Sequence, residues 1–172
     1  MTTLLRPLAI TQGDPAGIGP EIIAKAFRDA PDDLQGCFAV GDLATLRHAA
    51  QCIERPGEPQ LPVAVIASPA EAHAVPPRCM PVLQLPGLPG GVPLGAISAE
   101  AGRAAAQCVV WAARAALRGE VAGLVTAPLH KESLHAAGVD YPGHTELLQA
   151  EAAAHQGVAL QLPEFEYAHP GD

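Results

Sequence analysis

The residues with the clearest potential for chemistry stand in one short run, Pro142-Gly143-His144-Thr145-Glu146, shortly after the polar segment 126–132. A neutral imidazole at His144 accepts a proton, a charged one binds phosphate or carboxylate, and the Thr145 hydroxyl donates a hydrogen bond. This combination suits a small anionic substrate. The pattern leaves an alternative open, in which Thr145 caps a helix starting at Glu146 and His144 lies on the surface.

A second unusual run, 13–21, is a glycine-rich turn that leads into a helix starting near Pro20. Its glycines stand at 13, 17 and 19, which is not the spacing of the dinucleotide fingerprint GxGxxG. The helix N-terminus offers N–H groups to an anion. Asp14 and Glu21 place carboxylates in the same turn, so a tight turn with a self-capped helix is an equally good interpretation.

The remaining ionisable residues form no recognisable catalytic or metal-binding set. Lys131 follows a strand and either pairs with an anion or is solvated. His130 and His135 are five residues apart, a poor spacing for one helical face, and His155 and His169 are isolated. We therefore expect no metal site that this chain completes by itself.

Length and charge limit the class of protein. The chain has 172 residues, enough for one ordinary domain, and its ten basic and eighteen acidic residues give a formal net charge of -8. This charge disfavours nucleic acid and anionic membranes as partners but not a small anionic substrate at a locally positive site. The four cysteines form no CxxC pair, and no long apolar segment is present, so a reduced, cytoplasmic protein is expected.

Hydrophobic patterning predicts an α/β fold. Short apolar runs at 8–11, 37–40, 63–66 and 123–126 are typical of buried strands, and a further short strand is predicted near 82–83. Helices are predicted after Pro20, after a cap at Asp42 and from Ser98 onward. Both chemically promising runs follow strand ends, where ligands gather in open α/β sheets, which indicates a shared site.

The helix after Ser98 has the strongest periodicity in the chain. One face carries small apolar residues and the opposite face carries polar ones. The predicted buried residues are Ala101, Ala105, Cys108, Val109, Ala112 and Ala116, and the predicted exposed ones are Arg103, Gln107, Arg114 and Arg118.

Three segments together resemble the 4-hydroxythreonine-4-phosphate dehydrogenase family of pyridoxal phosphate biosynthesis: 10–21, 95–102, and 125–128 continued through Pro142-Gly143-His144-Thr145-Glu146. The resemblance covers roughly residues 6–150. It implies an α/β/α lobe of the isocitrate and isopropylmalate dehydrogenase type, incomplete in this chain. It also implies that His144 and Thr145 bind substrate, whereas it assigns no catalytic residue here.

The activity implied by the resemblance is NAD-dependent oxidation of 4-phosphooxy-L-threonine, followed by decarboxylation to 3-amino-2-oxopropyl phosphate. The resemblance also implies that a divalent metal (Zn, Mg or Co) assists the reaction and that the full-length protein is a homodimer. Family members are about twice as long, and their metal ligands and most NAD contacts lie in the half that is not present here. A paralogue acting on another four-carbon hydroxy-acid phosphate, and a non-catalytic remnant, are the alternatives. Residues 1–151 are interpreted as the N-terminal part of the dehydrogenase fold and 152–172 as a divergent, poorly ordered tail.

Overall fold

The computed structural model describes residues 5–159, and its centre is a five-stranded sheet in the order β3-β4-β2-β1-β5. All neighbouring strands are parallel. The strands are β1 (Leu8–Thr11), β2 (Cys37–Gly41), β3 (Val63–Val65), β4 (Met80–Gln84) and β5 (Gly123–Thr126). The predicted α/β class is confirmed, and each predicted strand is present.

Five α-helices accompany the sheet: α1 (Gly19–Asp29), α2 (Leu43–Cys52), α3 (Ala99–Leu117), α4 (Lys131–Ala136) and α5 (His144–Gln156). A 3-10 helix, Pro69–Ala74, lies between β3 and β4. The six-residue helix α4 was not predicted, because it is too short to show a hydrophobic period.

Helices α1 and α2 cover one face of the sheet. Phe27 of α1 and Leu46 of α2 pack with Met80 and Val82 of β4, all of them buried. Helix α1 buries Ile23 and Phe27, whereas the apolar Ile22 is 45% exposed. The helix therefore contacts the sheet through a narrower stripe than its sequence indicates.

Helix α3 covers the opposite face. Cys108 and Ala112 pack against Phe38 and Val40 of β2, and the Phe38 ring meets Trp111 edge-on at 6.3 Å between centroids. The predicted phase of α3 is confirmed, with Ala116 partly buried and the rest of the apolar set fully buried. All four residues of the predicted polar face are exposed.

Helices α4 and α5 pack on the outer side of α3, which explains why α3 buries more than one stripe. Gly102 makes the approach of α4 possible, because a Cβ at this position would overlap the carbonyl oxygen of Ser133. Val109 packs with Leu134 of α4 and Leu147 of α5. These contacts position the start of α5, where the His144-Thr145 pair lies.

Strand β5 forms an edge of the sheet within residues 5–159. On the side of the sheet that α1 occupies, Ile10 and Val125 are paired in register, and Leu8 lies two residues before Ile10. Leu8 is 38% and Val125 is 52% exposed. The α1–α2 layer thus stops short of this edge and leaves an apolar strip uncovered.

The predicted boundary between residues 151 and 152 falls within α5, which continues to Gln156. Residues 152–156 are therefore helical, and residues 160–172 lie outside the described residues, so the predicted tail stays a prediction there. None of the described helices has the length and apolar character needed to cross a bilayer.

Candidate ligand site at the carboxyl ends of β1 and β5

The segments 13–21 and 126–132 leave the sheet side by side. Thr11 at the end of β1 is paired with Thr126 at the end of β5, so both following segments emerge from the same edge. The Asp14 N–H then donates to the Pro128 carbonyl oxygen at 3.0 Å. The structure thus brings 13–18 together with 127–130, but no residue of the 142–146 run lines the cavity between them, so a site shared with His144 and Thr145 stays a prediction.

Gly13 permits this close approach. Its φ of +70° lies in the left-handed region, and a Cβ would overlap the Pro128 carbonyl oxygen. A side chain at this position would be strained and would also push the two segments apart. The first glycine of the run is therefore required by the contact between the two loops.

Asp14 organises the loop from within. Its carboxylate is 4% exposed, and Oδ1 accepts a hydrogen bond from the Ala16 N–H at 2.8 Å. The Gly17 N–H donates to the Asp14 carbonyl oxygen at 3.0 Å, and the Gly95 N–H donates to the Ala16 carbonyl oxygen at 2.7 Å. These bonds favour a structural role for the Asp14 carboxylate and hold the 95–97 segment over the loop.

A cavity of about 310 Å³ lies between these segments. Its walls are mainly apolar, and Ile18 and Ile97 beside it are 54% and 53% exposed. The lining residues are Asp14, Ala16, Gly17, Ile18, Gly95, Ala96, Ile97, Pro128, Leu129 and His130. Its volume is near the lower end for small-molecule pockets, so it accommodates a small molecule or one end of a dinucleotide. His130 is exposed and supplies an imidazole at the rim.

The neighbouring part of the same sheet edge is closed by polar side chains. Oε1 of Gln12, which follows β1, accepts from the Asp42 N–H at 2.7 Å. Asp42 confirms its predicted capping role, since Oδ2 accepts from the Thr45 N–H at 2.7 Å. Gln84 at the end of β4 accepts from the Leu43 N–H. These bonds satisfy N–H groups at the start of α2, so those groups are not free to bind a ligand.

Cys108 lies beneath this closed part. Burial raises the pKa of its thiol to about 12, and the negative charge of Asp42 contributes in the same direction. A thiol with so high a pKa is protonated at neutral pH and unreactive. Cys108 is therefore a core residue.

His144 and Thr145 occupy the first two positions of α5. His144 is half-buried and Thr145 is exposed. The N-cap of the helix is Gly143, and no side chain caps it, so the alternative that Thr145 caps a helix starting at Glu146 is wrong. Neither side chain lines the cavity beside Asp14. Their proposed contact with substrate stays a prediction.

A second, shallower concavity lies between α4 and the residues that precede α5. It measures about 620 Å³ and includes Lys131, His135, Tyr141 and Pro142 in its lining. Lys131, exposed at the start of α4, faces this concavity, whereas the preceding His130 lies at the smaller cavity. The segment 126–132 thus borders both spaces.

Residues 5–159 contain no group of three or more His, Cys, Asp or Glu side chains that would hold a metal ion. The described part of the chain consequently does not fit the divalent metal that the resemblance implies.

Sequence reasoning did not identify Gln12 or the 95–97 loop as parts of this edge. Gln12 is fully buried although it is polar, and its side chain occupies the space that a Cβ on Gly41 would fill. The position of a polar residue directly after an apolar strand could have drawn attention to Gln12. Its hydrogen-bond partner, however, depends on the strand order, which the sequence does not give. The 95–97 segment belongs to the family resemblance, but it follows a stretch rich in glycine and proline, which predicts a loop and gives no location for it.

The family and its relatives agree with this architecture. The model of the family described as "Pyridoxal phosphate biosynthetic protein PdxA" matches residues 33–169. The chain is similar to the 4-hydroxythreonine-4-phosphate dehydrogenase of Beijerinckia indica, at 43% identity over 166 residues, which are 94% of this chain and 46% of the relative. It is equally similar to the D-threonate 4-phosphate dehydrogenase of Salmonella typhimurium, at 43% identity over 146 residues, covering 83% and 43% of the two chains.

A solved structure of 4-hydroxythreonine-4-phosphate dehydrogenase from Klebsiella pneumoniae superimposes with a TM-score of 0.74 at 39% identity, covering 88% of this chain and 45% of that one. The expected fold, that of the isocitrate dehydrogenase-like enzymes, is confirmed. The chain spans about half the length of the curated relatives it matches. With 137 consecutive residues matched by the family model, from 33 to 169, the chain belongs to the PdxA family, whose relatives carry the names of phosphorylated hydroxy-acid dehydrogenases.

Proposed function

We propose that this chain forms the N-terminal half of the catalytic unit for NAD-dependent oxidation and decarboxylation of 4-phosphooxy-L-threonine to 3-amino-2-oxopropyl phosphate. The observation that carries the proposal is the junction of 13–18 with 127–130 around a cavity at the carboxyl ends of β1 and β5. This is the place where α/β sheets bind ligands. Family membership supplies the reaction class.

His144 and Thr145 are proposed to bind the phosphorylated substrate. They start a 13-residue helix whose first N–H groups have no side-chain cap. The positive end of the helix dipole, the Thr145 hydroxyl and the imidazole of His144 together suit an anionic group. Binding and orientation are the roles assigned to these residues, while NAD, when bound, supplies the acceptor for the hydride.

D-threonate 4-phosphate is the second candidate substrate, because relatives at the same level of identity carry this name. It bears a hydroxyl where the threonine derivative bears an ammonium group. The side chain that distinguishes these groups needs to accept a hydrogen bond from the ammonium and to carry negative charge. Asp140 and Glu132, both exposed at the concavity that Lys131 also lines, are the candidate carboxylates for this among the described residues.

The other parts of the proposed enzyme need residues beyond 5–159. Residues 5–159 contain no ligand set for the divalent metal (Zn, Mg or Co). The 310 Å³ cavity is too small for a whole dinucleotide. A homodimer of the full-length protein and a cytoplasmic location complete the proposal. A non-catalytic remnant that binds anions without turnover is the alternative for the chain as it stands.

Calorimetric titration of the 172-residue chain with each phosphorylated substrate tests the binding role. Thr145→Val and His144→Ala are expected to weaken binding by about tenfold to a hundredfold, the value of one charge-assisted hydrogen bond. His155→Ala, exposed near the other end of the same helix, is the matched control and should leave the affinity unchanged. Equal affinities in all four proteins would remove His144 and Thr145 from the site.

Turnover is tested separately. The 172-residue chain alone is expected to show no measurable NAD reduction with 4-phosphooxy-L-threonine and divalent metal, whereas a version extended by the remaining half of a relative should be active. Turnover of the short chain clearly above that of its His144→Ala variant would contradict the half-unit proposal. Activity of the extended version with D-threonate 4-phosphate alone would identify the second candidate as the substrate.

A further inference from the structure

A separate cavity lies at the opposite end of the sheet, beside the amino ends of β2 and β4. It measures about 230 Å³ and is walled by Phe27, Leu34 and several prolines. Gln35, His73 and Arg78 are the polar side chains of its lining, and no carboxylate is among its lining residues. The one formally charged side chain of the lining is therefore basic, in a chain with eighteen acidic residues against ten basic ones.

Arg78 is held in a conformation that its residue type disfavours. Its φ is +61°, and within residues 5–159 it is the one non-glycine residue with positive φ. It follows Pro77 in a turn, so that Pro occupies the first central position and Arg the second. A positive φ at the second central position is the type II pattern, which calls for Gly or Asn there. Strain of this kind persists where the surroundings impose it, and it is often found at ligand-binding positions.

The Arg78 guanidinium has no carboxylate partner within residues 5–159. The ion pairs of this part of the chain involve Lys25, Arg28, Arg55, Arg114 and Arg118 instead. A guanidinium presents a planar fork of N–H donors that matches phosphate or carboxylate oxygens. Arg78 is exposed, so an incoming anion reaches it from solvent.

His73 adds a second donor at the same cavity. Its ring lies against Gly36, where the absence of a side chain makes room for the imidazole. Gly36 and His73 both line the cavity, as does Gln35 next to Gly36. The imidazole and the guanidinium therefore face one space from the 3-10 helix and from the turn that precedes β4.

We propose that this cavity binds a small oxyanion, in the form of a phosphorylated or carboxylated metabolite of a few carbons. A volume of about 230 Å³ is below the usual range for drug-sized ligands and excludes a dinucleotide. The site does not depend on the proposed function. It lies at the other end of the strands, roughly 15 Å from the cavity beside Asp14, given about 3.3 Å per strand residue.

The test is a titration of the isotopically labelled 172-residue chain with inorganic phosphate, followed by amide NMR shifts, with glycerol 3-phosphate as the larger probe. Sodium chloride at matched ionic strength and uncharged glycerol are the controls. Saturable shifts centred on 35–37 and 73–79 are expected with both anions. Shifts that follow ionic strength alone, or that centre on 13–18 and 127–130, would overturn the proposal.

Three variants separate charge from strain. Arg78→Gln should weaken phosphate binding by about tenfold, and Arg47→Gln, which removes an exposed arginine outside the cavity, should not change it. Arg78→Gly removes the guanidinium but suits the positive φ, so binding should fall while the Tm stays equal or rises. Wild-type affinity in Arg78→Gln or in Arg78→Gly would show that Arg78 holds no anion.

Discussion

The carboxyl ends of the strands form two neighbouring parts, a closed part and an open part, which use polar residues in opposite ways. Between β1, β2 and β4, Gln12, Asp42 and Gln84 direct their oxygens at N–H groups of the α2 start, and the space is filled. Between β1 and β5, the Asp14 carboxylate accepts a hydrogen bond from within its own loop, and a cavity stays open beside His130. Polar residues after a strand therefore close this end of the sheet where they bond across to a neighbouring helix, and leave it open where they bond within their own loop.

The largest loss of stability is expected at Gly13, which lets the 13–18 loop approach Pro128 in the segment after β5. Gly13→Ala should lower the free energy of unfolding by about 3 kcal/mol, because it combines a positive φ with overlap against the Pro128 carbonyl. Urea unfolding measures this. Gly87→Ala has positive φ but open space around its Cβ, so it should cost only about 1 kcal/mol. Equal losses in the two variants would mean that the contact with Pro128 is unimportant.

Gln12 tests the closed part. Gln12→Leu should cost about 2 kcal/mol of unfolding free energy, because the buried Asp42 N–H loses its acceptor. The control is Gln107→Leu, an exposed glutamine whose amide donates to the Pro86 carbonyl oxygen, and it should cost about 0.5 kcal/mol or less. A neutral Gln12→Leu would show that the bond between Gln12 and Asp42 does not stabilise the start of α2.

Burial of Cys108 beneath the closed part makes the free energy of unfolding depend on pH. Its pKa is raised from 9.0 to about 12 by burial and by Asp42, so between these values the unfolded chain releases a proton that the folded chain keeps. The stabilisation is complete below pH 9 and is lost as pH rises, by up to about 1.4 kcal/mol per pH unit. Unfolding of wild type and Cys108→Ala across the alkaline range measures it. Parallel pH curves would contradict the shift.

The smallest change in the free energy of unfolding is expected for a substitution at His130, at the rim of the open part. His130→Ala should change the unfolding free energy by no more than about 0.5 kcal/mol, since the side chain is exposed. Calorimetric titration should nevertheless show weaker binding of 4-phosphooxy-L-threonine than in wild type. A large loss of stability in this variant would erase the contrast between the two parts.

The sequence predicted local structure better than it predicted the site. The cap at Asp42 and the phase of α3 follow from spacing within a few residues, and both are confirmed. The exposure of Ile22 and the network around Gln12 depend on which strand lies beside which, and the sequence pattern does not give the order β3-β4-β2-β1-β5. The cavity also needs the 95–97 loop, which reaches it from a segment without periodicity.

The uncovered edge at β5 has a consequence for anyone who handles this chain. Within residues 5–159, one side of β5 presents unpaired main-chain groups next to the apolar strip of Leu8, Ile10 and Val125. Such an edge is a template for strand addition between molecules, opposed here by the mutual repulsion of copies that each carry a net charge of -8. Added salt screens that repulsion. Self-association during purification is therefore set by ionic strength, and a lysine in place of Val125 would be the first substitution for a well-behaved preparation.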